Sequence, residues 1–120
     1  MGLPSAQRMT RSGQYAEVRV GGIARSGRLM TVAFLIEPEL PGVRFGFTLT
    51  KKLGNAVKRN KLRRRLREIA RHAAPFVVKS GRVVTIPRPA AVGMSFSEIE
   101  SEWKYLMGKL SLLPPRDHAK

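Results

Sequence analysis

The chain has 120 residues, enough for one domain with a single core and too few for two. Its 23 Lys and Arg against 8 Asp and Glu give a net charge of +15, which favours a polyanionic partner, while a hydrophobic content of 42% excludes a disordered tail. The absence of cysteine removes disulfides, thiolate metal sites and cysteine nucleophiles together, and His72 and His118 are too few and too far apart for a metal site.

No apolar run approaches the ~18 residues of a membrane span and no signal-peptide core opens the chain, so the sequence reads as cytoplasmic and not membrane-bound. One domain is expected over residues 1–120, with an ordered core at about 8–113 and loose termini. Ser12 can cap a short helix running to about Val20 and closed by Gly21-Gly22, with Tyr15 and Val18 on one side of it. A short strand around Val20 to Ala24 is compatible with the pattern, and Arg25, Gly27 and Arg28 belong to a turn.

Arg28 to Ile36 is β-rich, and Glu37 to Gly42, with Pro38, Pro41 and Gly42, is a turn. Val43 to Thr50 alternates: Val43, Phe45, Phe47 and Leu49 face a core, and Arg44, Gly46, Thr48 and Thr50 the other side. That second set is small and polar. It suits either an ordinary solvent face or a shallow trough that a nucleic-acid strand could approach. The two runs are spaced as an antiparallel hairpin with a longer loop.

Lys51 to Arg71 reads K-K-L-G-N-A-V-K-R-N-K-L-R-R-R-L-R-E-I-A-R and holds ten of the 23 basic residues with one acid, Glu68. Leu62, Leu66, Ile69, Ala70 and Ala73 recur with a helical period and form one apolar stripe. Asn60, Arg64, Arg67 and Arg71 project opposite it, Arg63 lies beside them, and Arg59 sits near the stripe's edge. Basic faces of ordinary surface helices alternate acids with bases, whereas Arg63, Arg64, Arg65 and Arg67 are nearly unrelieved, which points to a polyanion. Guanidinium forks match phosphate oxygens two at a time.

Beyond this helix, Pro75 and the Val77-Val78 pair precede Gly81, Arg82 to Ile86 forms a strand, and Pro87 and Pro89 end it. Ser95 or Ser97 caps the last helix, with Glu98 or Glu100 in capping-box position. Its core stripe is Ile99, Trp103, Leu106, Met107, Leu110 and Leu113, and Pro114-Pro115 ends the order. The element order is that of an α+β protein, an α/β sandwich of one sheet.

A two-metal nuclease needs clustered carboxylates, yet Asp117 is the sole aspartate and three of the seven glutamates, Glu98, Glu100 and Glu102, serve a helix N-terminus. The two histidines are poorly placed for acid–base cleavage. The chain therefore carries no evident catalytic centre.

The order K-K-L-G-N-A-V-K-R-N-K-L-R-R-R-L-R-E, above all Gly54-Asn55-Ala56-Val57 followed by Arg59-Asn60, resembles the signature of the bacterial ribonuclease P protein subunit, and the likeness runs from about Arg8 to Leu110. The resemblance implies a four-stranded mixed sheet with three helices, like the second domain of ribosomal protein S5. It also implies a left-handed β-α-β crossover through the basic helix, against a right-handed rule obeyed in ~98% of cases.

It implies a protein that binds a catalytic RNA and the 5′ leader of precursor tRNA, with the active site and most of the Mg2+ in the RNA and no metal site or obligate protein partner for the protein. Lys51, Lys52, Arg59, Asn60, Arg63, Arg64, Arg67 and Arg71 then face the catalytic RNA. Tyr15, Arg19, Thr48, Thr50 and Arg88 line the leader cleft; Arg19 stands where the family often has a second aromatic residue. A non-catalytic RNA-binding or ribosome-associated protein fits the composition as well. A DNA-binding helix module fits less, since no helix precedes the basic one at helix-turn-helix spacing.

Overall fold

The computed structural model describes Val18 and residues 21–114. Four strands, β1 (Ile23–Ser26), β2 (Met30–Ile36), β3 (Val43–Phe47) and β4 (Gly81–Pro87), form one mixed sheet in the order β1-β2-β4-β3. Two α-helices, α1 (Ala56–Ala73) and α2 (Phe96–Lys109), pack on one face of it. Short 3-10 turns at Lys51–Leu53, Ala74–Phe76 and Pro89–Ala91 join the elements. Of the predicted N-terminal helix Val18 is helical, Gly21, expected to close it, is still helical, and the rest, like most of the loose termini expected at either end, lies outside the described residues.

The predicted β2–β3 hairpin does not form. β4 lies between the two strands, antiparallel to β2 (Val32 opposite Thr85) and parallel to β3 (Phe45 beside Val83). The reason is hydrophobic demand. Val83, Val84 and Thr85 are fully buried, so β4 needs cover on both faces and neighbours on both sides, as a central strand has. The Glu37–Gly42 loop is long enough to step across one strand, at roughly 4.8 Å per strand spacing. α1 then forms the crossover of the parallel β3–α1–β4 unit.

The alternation read in the sequence holds. Val32, Phe34, Val43, Phe45 and Val83 meet Leu62, Leu66, Ile69 and Trp103 in the main core. On the opposite face Val18 packs against Ala33 and Val84, flanked by Leu35 and Ile86. Trp103 is fully buried, tilts against Phe45 with ring centroids 6.0 Å apart, and donates its indole N–H to Thr85 Oγ1 at 3.0 Å.

α2 begins at Ser95, whose hydroxyl accepts from the Glu98 N–H while Glu98 reaches back to the Ser95 N–H, a complete capping box. The sequence reading carried its apolar stripe on to Leu113. Instead the helix stops at Lys109, Ser111 turns left-handed (φ 61°), and Leu112 rather than Leu113 is the fully buried residue. The Leu112 N–H bonds Met107 O and the Ser111 N–H bonds Gly108 O, the two bonds of a Schellman cap.

Candidate nucleic-acid interface

The K-K-L-G-N-A-V lead is a helix-start device. Lys51–Leu53 makes one 3-10 turn that buries Leu53, and Gly54 then adopts φ 115°, ψ −163°, a region essentially closed to residues with a Cβ. Asn55 caps α1, its Oδ1 accepting from the Lys58 N–H at 3.0 Å. Arg59 donates back to Gly54 O at 2.9 Å, so the first arginine of the stripe locks the turn that precedes it. Leu62, Leu66, Ile69, Ala70 and Ala73 are buried, as the periodicity required.

The arginines of α1 divide by partner. Arg63 donates to Asn60 Oδ1 at 2.7 Å, and Arg65 donates to the Met94 carbonyl at 2.6 Å, tying α1 to the segment that leads into α2. Arg71 forms a bidentate pair with Glu68, and His72 Nε2 lies 3.2 Å from the same carboxylate. The hydrogen bond from Arg71 lowers the Glu68 pKa, and the same bond raises that of Arg71. Glu68 balances the charge of Arg71, whereas the Asn60 and Met94 oxygens fix the Arg63 and Arg65 guanidinium groups without cancelling their charge. Arg67 is half-buried rather than fully exposed opposite the core stripe.

Among the described residues, Lys51, Lys52, Lys58, Lys61 and Arg64 are exposed and make no side-chain hydrogen bond or ion pair within the fold. Lys58 and Lys61 were not among the predicted contacts. Their exposure and spacing beside the Arg64 line were the available signal.

The second predicted surface uses the sheet face away from α1 and α2. Thr48 is half-buried and extends the β3–β4 ladder by donating its N–H to Thr85 O at 3.0 Å. Arg88, exposed just past β4, reaches Thr31 Oγ1 at 3.4 Å, and Thr31 pairs with Ser26 Oγ at 2.8 Å. Thr50 is exposed and starts the Lys51–Leu53 turn. Thr48, Thr50 and Arg88 thus gather at one end of this face, next to Lys51 and Lys52. Tyr15 and Arg19 lie outside the described residues. Arg44, on the same face by alternation, was read as part of the polar side but not as a contact.

Among the described residues no group of three or more His, Cys, Asp and Glu is placed to hold a metal ion. Among them, too, no helix is long and apolar enough to cross a membrane.

A family model described as ribonuclease P matches residues 3–111. The ribonuclease P protein component of Acidothermus cellulolyticus is 34% identical over 110 residues, covering 91% of this chain and 92% of that protein. That of Microcystis aeruginosa is 31% identical over 117 residues, covering 94% and 98%. A solved mutant of the Staphylococcus aureus RNase P protein superposes with a TM-score of 0.84 at 25% identity, covering 90% of this chain and 91% of that one.

Proposed function

This chain belongs to the ribonuclease P protein family, the RNA-binding protein component of a tRNA-processing ribonucleoprotein, and from that premise we propose how its surfaces divide the work. Lys51, Lys52, Arg59, Asn60, Arg63, Arg64, Arg67 and Arg71 form the side that docks the catalytic RNA. Thr48, Thr50 and Arg88, with Tyr15 and Arg19, form the side that holds the 5′ leader of precursor tRNA. The observation that carries this reading is the row of exposed cations without internal partners, Lys51, Lys52, Lys58, Lys61 and Arg64, along one edge of the fold. Those groups can displace the counterions condensed on RNA phosphates at no cost in internal bonds.

In this reading the bond-breaking chemistry belongs to the RNA. On this proposal the magnesium ions are held mainly by the RNA, where they would supply Lewis-acid and water-activating chemistry. The protein contributes binding, position and charge: it lowers the repulsion between two polyanions, and so the magnesium required to bring them together.

The test is reconstitution. Purified protein free of RNA leaves precursor tRNA intact at every magnesium concentration. Adding a bacterial ribonuclease P RNA restores 5′ cleavage, at lower magnesium than that RNA requires alone. Cleavage by the RNA-free protein would overturn the assignment of the chemistry to RNA.

A further inference from the structure

Two of the four residues in the Gly54-Asn55-Ala56-Val57 lead are explained by the start of α1, since Gly54 supplies the turn and Asn55 the cap. Val57 is not. It stands in the first turn of the helix, 76% exposed, and belongs to neither apolar cluster of the fold. Nor does local structure favour it there. A β-branched residue is a poorer helix former than alanine, and the first turn of a helix prefers an acid, of which α1 has none. Its neighbours are cations. Lys61 and Arg64 follow it at i+4 and i+7, on the same side of a 3.6-residue helix, and Lys52 precedes it in the 3-10 turn. All three are exposed, with no side-chain partner among the described residues.

We propose that Val57 is an apolar contact inside the cationic row, seated against the base face of an unpaired nucleotide in the catalytic RNA. The inference rests on the docking side proposed above and adds to it the kind of RNA structure that side meets. Charge decides the class of partner: exposed cations one and two turns beyond the valine draw a polyanion over it and repel a second copy of this +15 chain. The valine then decides the local structure of that polyanion. Its two methyl groups gain only where they leave water for another apolar surface. In an A-form duplex the base faces are stacked out of reach, the major groove is too narrow and deep for side chains, and the minor groove presents 2′-hydroxyls. Base faces open at bulges, loops and ends. The phosphates flanking such a nucleotide fall to Lys61 and Arg64, so one side of α1 carries charge that holds the backbone and a methyl pair that senses an unpaired base.

The experiment measures affinity of the protein for a bacterial ribonuclease P RNA and for a plain RNA duplex, each across several salt concentrations. Val57→Ala removes two carbons, each worth about fourfold when wholly buried. A base covers one side of them, so affinity for the ribonuclease P RNA falls roughly three- to tenfold. The slope of log K against log salt stays that of wild type, because no counterion is exchanged at a methyl group. Val57→Thr, which keeps the shape and adds a hydroxyl, binds as weakly as Val57→Ala. On the duplex all three proteins bind alike. Free Val57→Ala melts at or slightly above the wild-type temperature, since alanine is the better helix former, which sets the effect apart from a folding defect. Equal affinity of wild type and Val57→Ala for the ribonuclease P RNA would overturn the contact, as would an equal loss on the duplex. A slope reduced by about 0.9, the mark of a lost phosphate, would overturn it too. Self-association of the free protein that Val57→Ala abolishes would place a second copy on the valine instead. Arg64→Ala separates the two readings: if it weakens binding while Val57→Ala does not, the contact alone fails, and if neither does, the docking side itself falls.

Discussion

Trp103 and Thr85 form a closed polar pair in an otherwise apolar core: the indole N–H donates to the threonine hydroxyl at 3.0 Å, and both residues have no exposed surface. The bond fixes α2 against the central strand at the one buried polar side chain found among the described residues. Thr85→Val keeps the shape and orphans the indole N–H, which costs roughly 1–3 kcal/mol. Thermal melting of that variant should show the loss, with RNA affinity of the folded protein unchanged. A melting temperature equal to wild type would mean that the indole is satisfied by other means.

Glu102 performs a comparable task at the surface edge. Its Oε2 accepts from the Leu29 N–H at 2.7 Å and the Met30 N–H at 3.0 Å, and Gly27 leaves room for that carboxylate, since a Cβ there would come within 2.6 Å of it. Gly27→Ala is therefore expected to push Glu102 off the turn. Its destabilisation, about 1–3 kcal/mol for two orphaned N–H groups, should nearly vanish in a Glu102→Ala background, where the clash and the acceptor are both gone. Additive losses in that double-mutant cycle would show that the two residues act independently.

Ser111 offers a gain rather than a loss. It holds the left-handed position of the Schellman cap, where a residue with a Cβ is disfavoured by roughly 1–2 kcal/mol. Ser111→Gly should raise stability by about 0.5–1 kcal/mol in denaturant titrations, with Leu112 still buried. A fall in the unfolding midpoint would indicate that the serine hydroxyl matters more than its backbone.

Acid should loosen two helix ends in the same window. The Glu98 pKa is lowered chiefly by the Ser95 hydroxyl, and that of Glu68 by Arg71. A carboxylate whose folded pKa lies below its ordinary value of 4.5 stabilises the fold fully above that value, and the benefit is lost as pH falls through the lower native pKa. Between neutral pH and about 4.5 neither group should add a slope to stability; below it both should. Glu98→Gln is expected to flatten the acid limb of a melting temperature against pH curve and to leave the neutral limb parallel to wild type.

How far the sequence reached depended on whether a feature was local. The core stripe of α1, a capping box at the start of α2 and the alternation of β3 depend on residues a few positions apart, and they are as read. The β2–β3 hairpin failed because pairing is a competition between distant strands, and β4, apolar on both faces, displaced the nearer partner. The site divides along the same line. Which side chains face away from the α1 core was legible from a 3.6-residue period. That Arg65 reaches the Met94 carbonyl, 29 residues along the chain, was not, because nothing local to Arg65 marks the contact.

Arg64 and Arg65 are adjacent in the signature and should fail in opposite ways. Arg64 is exposed with no partner among the described residues, so on the proposed docking Arg64→Ala should remove an RNA contact without disturbing the fold. Arg65 is half-buried, and its bond to Met94 O at 2.6 Å joins α1 to the residue before the Ser95 cap of α2. Arg65→Ala leaves that carbonyl without its charged donor and loosens the helix pair, a loss of roughly 1–3 kcal/mol. Two measurements on each variant separate the roles: the melting temperature of the free protein, and its affinity for ribonuclease P RNA across several salt concentrations. Arg64→Ala should melt as wild type does and bind more weakly, with the slope of log K against log salt reduced by about 0.9 where its phosphate lies in a duplex. Arg65→Ala should melt earlier and, well below its melting temperature, bind with the wild-type slope. A changed slope for Arg65→Ala would show that its guanidinium leaves Met94 to meet RNA. An unchanged slope and affinity for Arg64→Ala would move the docking surface off this face of α1.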